Sequence, residues 1–104
     1  MDRYRVDFAS EPWETAGVGA RSKAHEDGGK RIRLLELTDE FSECDWCLRG
    51  HIGYVLEGRM EVDFSGQVVV FGPGDGVFIP AGEQHKHRAR ALTETVRLIL
   101  VEEA

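Results

Sequence analysis

The sequence predicts an all-β domain, on three observations. Twelve glycines recur at turn-like intervals along 104 residues. The segments between them alternate apolar and polar residues with period two, and none carries the apolar spacing of an amphipathic helix. About eight short strands with no helix to cover them favour a closed or double-sheet β-barrel over a helix-covered sheet.

Composition narrows the class. One hundred and four residues make one domain rather than two. A hydrophobic fraction of 41% beside 31% charged residues excludes a disordered or collagen-like chain. No apolar run approaches the ~20 residues of a membrane helix. A formal charge of −6 argues against a nucleic-acid or anionic-membrane partner, which would need a surplus of Lys and Arg on some face. The basic clusters Lys30-Arg31-Arg33 and Lys86-Arg88-Arg90 alternate with other residues as a solvated strand face does. Two cysteines in a chain that opens without the apolar stretch of a signal peptide point to a reducing cytoplasm.

The elements follow in order. Residues 1–16 read as an irregular arm in which Trp13 of Glu11-Pro12-Trp13 is an aromatic anchor, and 17–104 as the barrel domain. The stretch to Lys30 is the least regular, and Glu26-Asp27-Gly28-Gly29 is a strong turn. Arg31 to Leu37 is a strand and Thr38-Asp39-Glu40 a break. Cys44 to Arg49 is read as a further strand, and Ile52 to Leu56 leads through Glu57-Gly58 into Met60 to Phe64. There Met60, Val62 and Phe64 share one face while Glu61 and Asp63 take the other, a hairpin with one wet side. Ser65-Gly66 turns the chain into Gln67 to Phe71, and Gly72 to Gly76 turns it again into Val77 to Ile79. The last strand, Thr95 to Glu102, alternates around Val96, Leu98 and Leu100.

Two segments resemble the motifs of the cupin superfamily of small β-barrels. The second cupin motif runs Gly, five residues, Pro, one residue, Gly, two residues, His; Gly74, Pro80, Gly82 and His85 meet it in full, while Ala89 replaces the Asn that often follows. The first motif is usually a His-x-His pair, then a Glu, then a closing Gly. Here Gly58 closes it, His51 stands in place of the Glu, and Cys47 and Asp45 stand where the two histidines would be. The resemblance implies a jelly-roll barrel, frequently a homodimer, with a divalent metal ion (Zn, Fe(II), Ni or Mn) and a small-molecule ligand inside its mouth. It implies no particular reaction.

Strand parity places Asp45, Cys47 and His51 on one side and Cys44 on the other, which weakens a Cys-x-x-Cys redox or zinc reading; a turn at Asp45-Trp46 would restore it. His85 and His87 also share parity, and neutral imidazole ligates zinc, iron, copper and nickel. Two coordination sets are open. His51, His85 and Asp45 would suit non-haem Fe(II) and oxygen chemistry. His51, His85 and Cys47, with His87 or water fourth, would suit zinc. Each residue also has an ordinary structural role: Cys47 as a small buried hydrophobe, Asp45 as a turn residue, His51 hydrogen-bonded in the barrel wall, His87 exposed between Lys86 and Arg88. Tyr54 is the candidate for catalytic proton transfer, with packing as its alternative. Trp46, Phe64, Phe71 and Phe78 divide between core and dimer face, and His25, beside Glu26-Asp27, is an exposed residue without a site.

Three functions fit: a metal-dependent enzyme acting on a small organic substrate, whether oxygenase, isomerase or lyase; a non-catalytic module that senses or binds a metal or small ligand; and a metal-free barrel that keeps an apolar pocket.

Overall fold

Residues 4–104 are described in a computed structural model. Nine strands carry it: β1 (Glu14–Thr15), β2 (Ala20–Asp27), β3 (Lys30–Thr38), β4 (His51–Glu57), β5 (Met60–Asp63), β6 (Val68–Phe71), β7 (Gly76–Ile79), β8 (Arg88–Ala91) and β9 (Thr95–Glu103). The remaining regular structure among the described residues is a pair of 3-10 turns, Phe8–Ser10 and Glu83–His85. The strands form two antiparallel sheets, one in the order β1-β2-β3-β9-β4-β7 and one in the order β6-β5-β8. The architecture is an all-β jelly roll in its double-sheet form.

Two tight turns have local causes. Gly28 and Gly29 take φ of 59° and 78°, so the β2–β3 connection turns in two residues and pairs the strands from Ala20↔Leu37 to Asp27↔Lys30. The hairpin expected between Ile52–Leu56 and Met60–Phe64 does not form: at Gly58, φ 79°, the chain passes from β4 in the six-stranded sheet to β5 in the three-stranded one, and a Cβ built there would stand 2.0 Å from the Thr95 carbonyl oxygen, so both φ and space demand glycine.

Two further expectations are corrected. The first is that the chain before Lys30 is irregular: β2 occupies Ala20–Asp27. Its sequence, Ala-Arg-Ser-Lys-Ala-His-Glu-Asp, buries only Ala20, so it lacks a strand's hydrophobic alternation and is held extended by its ladder to β3. The arm before it is described from residue 4, the first three residues of the expected 1–16 segment lying outside the described residues. Trp13 anchors the arm, with the Arg21 guanidinium 4.2 Å and the Lys23 ammonium 4.8 Å from its ring centroid. The second is the strand over Cys44 to Arg49, where the chain instead runs irregularly beside β8. Glu43 N–H donates to Ala89 O and Cys47 N–H to His87 O, so four steps on one side match two on the other. The surplus loops out, the chain bends at Asp45, and strand parity no longer applies there.

The two sheets face each other across an apolar core in which Leu37, Val55, Val62 and Val96 are fully buried. Burial of such side chains supplies ~1.5–3 kcal/mol each. On the six-stranded sheet this inner face is apolar toward Leu37, Val55 and Val96. It turns polar toward its other end, where Arg31, Arg33, Glu102 and His51 continue the inward-facing series of β3, β9 and β4. That polar end holds the site.

Candidate metal centre

His51 opens β4, in phase with the buried Val55, and so faces inward between the sheets. His87 precedes β8 and is in phase with Ala89 and Ala91, which pack on the core. It is only 3% exposed. Cys47 reaches the same place because its backbone and that of His87 exchange hydrogen bonds of 2.8 and 3.0 Å. The Cys47 Sγ and one nitrogen from each histidine lie within 4.8 Å of one another, the Sγ 3.9 Å from His51 Nε2. The imidazoles meet edge to face with centroids 5.3 Å apart, and Phe64 flanks His87 at 6.0 Å.

Hydrogen bonds fix which nitrogen each ring presents. His87 Nδ1 lies 3.0 Å from the main-chain carbonyl oxygen of His85. A carbonyl only accepts, so Nδ1 carries the proton and the Nε2 lone pair points into the cluster. That Nε2 is buried and has no hydrogen-bond partner. His51 Nδ1 lies 3.0 Å from Glu102 Oε2, which sets the same tautomer and leaves Nε2 toward Cys47. Two lone pairs and a thiol thus converge from three segments of chain. Separations below 4.8 Å are the scale on which one ion, with bonds of ~2.0–2.3 Å, reaches all three. The orphaned His87 Nε2 and the donor set of two imidazoles and one sulfur fit a divalent metal.

Glu102 is the part of the site that the sequence reading missed. It lies on β9 in phase with Val96, Leu98 and Leu100, and its side chain is 6% exposed. Arg31 bonds it from Nε and Nη2 at 3.2 and 3.1 Å, and Arg33 from Nη2 at 3.3 Å. Burial acts to raise its carboxyl pKa, but the hydrogen bonds and charges of His51 and Arg33 outweigh burial and hold it down to about 2. An acid in the inward phase of an apolar strand was the available signal.

The other candidates stand apart from this cluster. His85 is exposed on the Glu83–His85 turn and contributes its carbonyl oxygen, so its place beside His51 is taken by His87. The cause is the 3-10 turn, which breaks the strand periodicity on which shared parity relied. Asp45 is exposed in the bulged segment, which removes the carboxylate from the expected iron-type set. Tyr54 points to the opposite face of β4 from His51 and is half exposed. Cys44 is exposed, and both thiols are free. His51 and Glu102 also border a cavity of about 740 Å³ at the strand ends, whose lining includes Leu48, Arg49 and, from the outer face of the sheet, Ile52 and Phe78.

Comparison with known proteins agrees with the architecture. The family model described as "Cupin domain" matches residues 49–102. No curated protein matches the chain. Among solved structures, the polyketide cyclase RemF from Streptomyces resistomycificus is similar at 23% identity and TM-score 0.78, over 98% of this chain and 80% of that one. An RmlC-like cupin from Shewanella frigidimarina matches at 16% identity and TM-score 0.77, over 98% and 91%. KdgF from a Halomonas species matches at 21% identity and TM-score 0.74, over 92% and 91%. At these identities the likeness is one of fold.

Proposed function

We propose that this chain, which belongs to the cupin family, holds a divalent metal ion with Cys47, His51 and His87 and presents it to a small organic molecule between its sheets. The observation that carries the reading is His87 Nε2, a buried acceptor without a partner beside a second imidazole and a thiol. Three protein donors leave a coordination position for water or a ligand, the pattern of catalytic rather than structural zinc sites. One sulfur and two imidazoles favour Zn(II) over Fe(II), Ni or Mn among the metals considered, because the thiolate is soft and no carboxylate joins the set. Bound there, the metal supplies Lewis acidity toward an oxygen of the ligand. The protein orients both imidazoles, and burial excludes water from His87.

Turnover and binding without turnover remain the two forms of this function, and a loss-of-substrate assay against metal-chelating small molecules separates them. The metal itself is tested first. Protein purified without a histidine tag and dialysed against Zn(II) is expected to retain one ion per chain by elemental analysis, and His87→Ala none. Equal zinc in both would refute the site.

Two further proposals concern the whole chain. The outer face of the six-stranded sheet exposes Ile52, Phe78 and Val101 as cross-strand neighbours, with Tyr54 beside them, at an edge formed by β7. This supports a homodimer through that face. The free thiols accord with a cytoplasmic location; no helix among the described residues is long and apolar enough to cross a membrane.

A further inference from the structure

We infer that Glu102 is a positioning residue for the metal centre: its carboxylate, clamped by Arg31 and Arg33, locks His51 as the Nδ1–H tautomer and makes Nε2 the stronger donor. The inference rests on the metal reading above and assigns to that site the residue that tunes it. The two imidazoles are held differently. His87 has a neutral main-chain carbonyl at Nδ1, whereas His51 has an anionic oxygen at 3.0 Å. An ionised acceptor draws the Nδ1 proton more strongly and places negative charge behind the ring, which raises the basicity of the opposite nitrogen.

The surroundings suit that task. Glu102 is largely enclosed, its side chain 6% exposed. Arg31 and Arg33 neighbour it on β3, across the ladder that pairs Arg31 with Glu102 and Arg33 with Leu100. Arg31 takes Oε1, while Arg33 Nη2 and the imidazole share Oε2. Arg31 is braced in turn by Glu26 at 3.3 Å. The chain from Glu26 through Arg31 and Glu102 to His51 crosses four strands and ends on a proposed ligand. A buried salt bridge with only a packing role would not need to end on an imidazole whose other nitrogen faces a thiol.

The experiment has two arms. Zn(II) affinity is measured by chelator competition for the whole chain and for Glu102→Gln, which keeps the shape and an acceptor but removes the charge. The expected loss is about 10- to 100-fold; unchanged affinity in a folded Glu102→Gln protein overturns the inference. The second arm uses metal-free wild type at about pH 8, where histidine is ordinarily neutral. Long-range proton–nitrogen spectra are expected to show His51 and His87 both protonated at Nδ1, and His51 protonated at Nε2 would overturn the inference. This arm decides the matter if Glu102→Gln does not fold. Failure of wild type to take up Zn(II) would refute the metal reading alone, and the His51 tautomer would still judge Glu102.

Discussion

Leaving a buried polar atom without a partner costs ~1–3 kcal/mol, and His87 Nε2 is such an atom beside a second imidazole and a thiol. The neighbouring histidine gives a sharp control. His85 holds His87 through its main-chain carbonyl, which every residue has. Substituting His85 by Ala is therefore expected to leave zinc content unchanged, while His51→Ala abolishes it, both read by elemental analysis. Loss of zinc on His85→Ala would restore the ligand that motif counting favours. Three of the five metal candidates, Cys47, His51 and His87, were legible as residue types on inward-facing segments. The zinc-type set already grouped them, together with His85; that His85 stands outside was not legible, because it depends on a two-residue surplus before Cys47 and a 3-10 turn before His87, neither of which leaves a periodic trace.

At the scale of the elements, the strands that bury one face were legible from alternation, as β5 and β9 are. β2 was hidden because its pairing, rather than its hydrophobicity, makes it a strand. One device binds it into the sheet. Glu36 of β3 is 7% exposed and lies in a cross-strand row with Arg21 of β2 and Arg97 of β9, which donate to its two oxygens at 2.7 and 2.8 Å. Burial works to raise its carboxyl pKa, but the hydrogen bonds and charges of Arg21 and Arg97 prevail and hold it below the ordinary 4.5. A group depressed in the folded state stabilises fully above its unfolded pKa and loses that contribution as pH falls through the folded one. Urea midpoints are therefore expected to fall below about pH 4.5 more steeply in wild type than in Glu36→Gln. At neutral pH that variant is expected to be less stable by ~1–3 kcal/mol. Parallel pH profiles would show that the row does not couple to folding.

For the whole molecule, the inner and outer faces of the larger sheet divide the work. The inner face supplies core and, at its polar end, His51 and Glu102; the outer face leaves Phe78 76% exposed beside Ile52 at the sheet edge. Alternation told the two faces apart, but single-sequence patterning carries no sign of which outward apolar residues gather across strands, since that depends on the register of β4 with β7 and β9. Phe78→Glu is expected to halve the mass of the wild-type particle in light scattering while leaving its zinc content intact. A wild type that is already monomeric would contradict the dimer face and leave the metal centre untouched.

The central claim is that one ion joins three donors from separate segments. A crystal of the zinc-loaded protein, measured above and below the zinc absorption edge, tests it most directly. The expected result is one anomalous peak within ~2.0–2.3 Å of Cys47 Sγ, His51 Nε2 and His87 Nε2 together. A peak on His85 or at the surface, or none between the sheets, would contradict it.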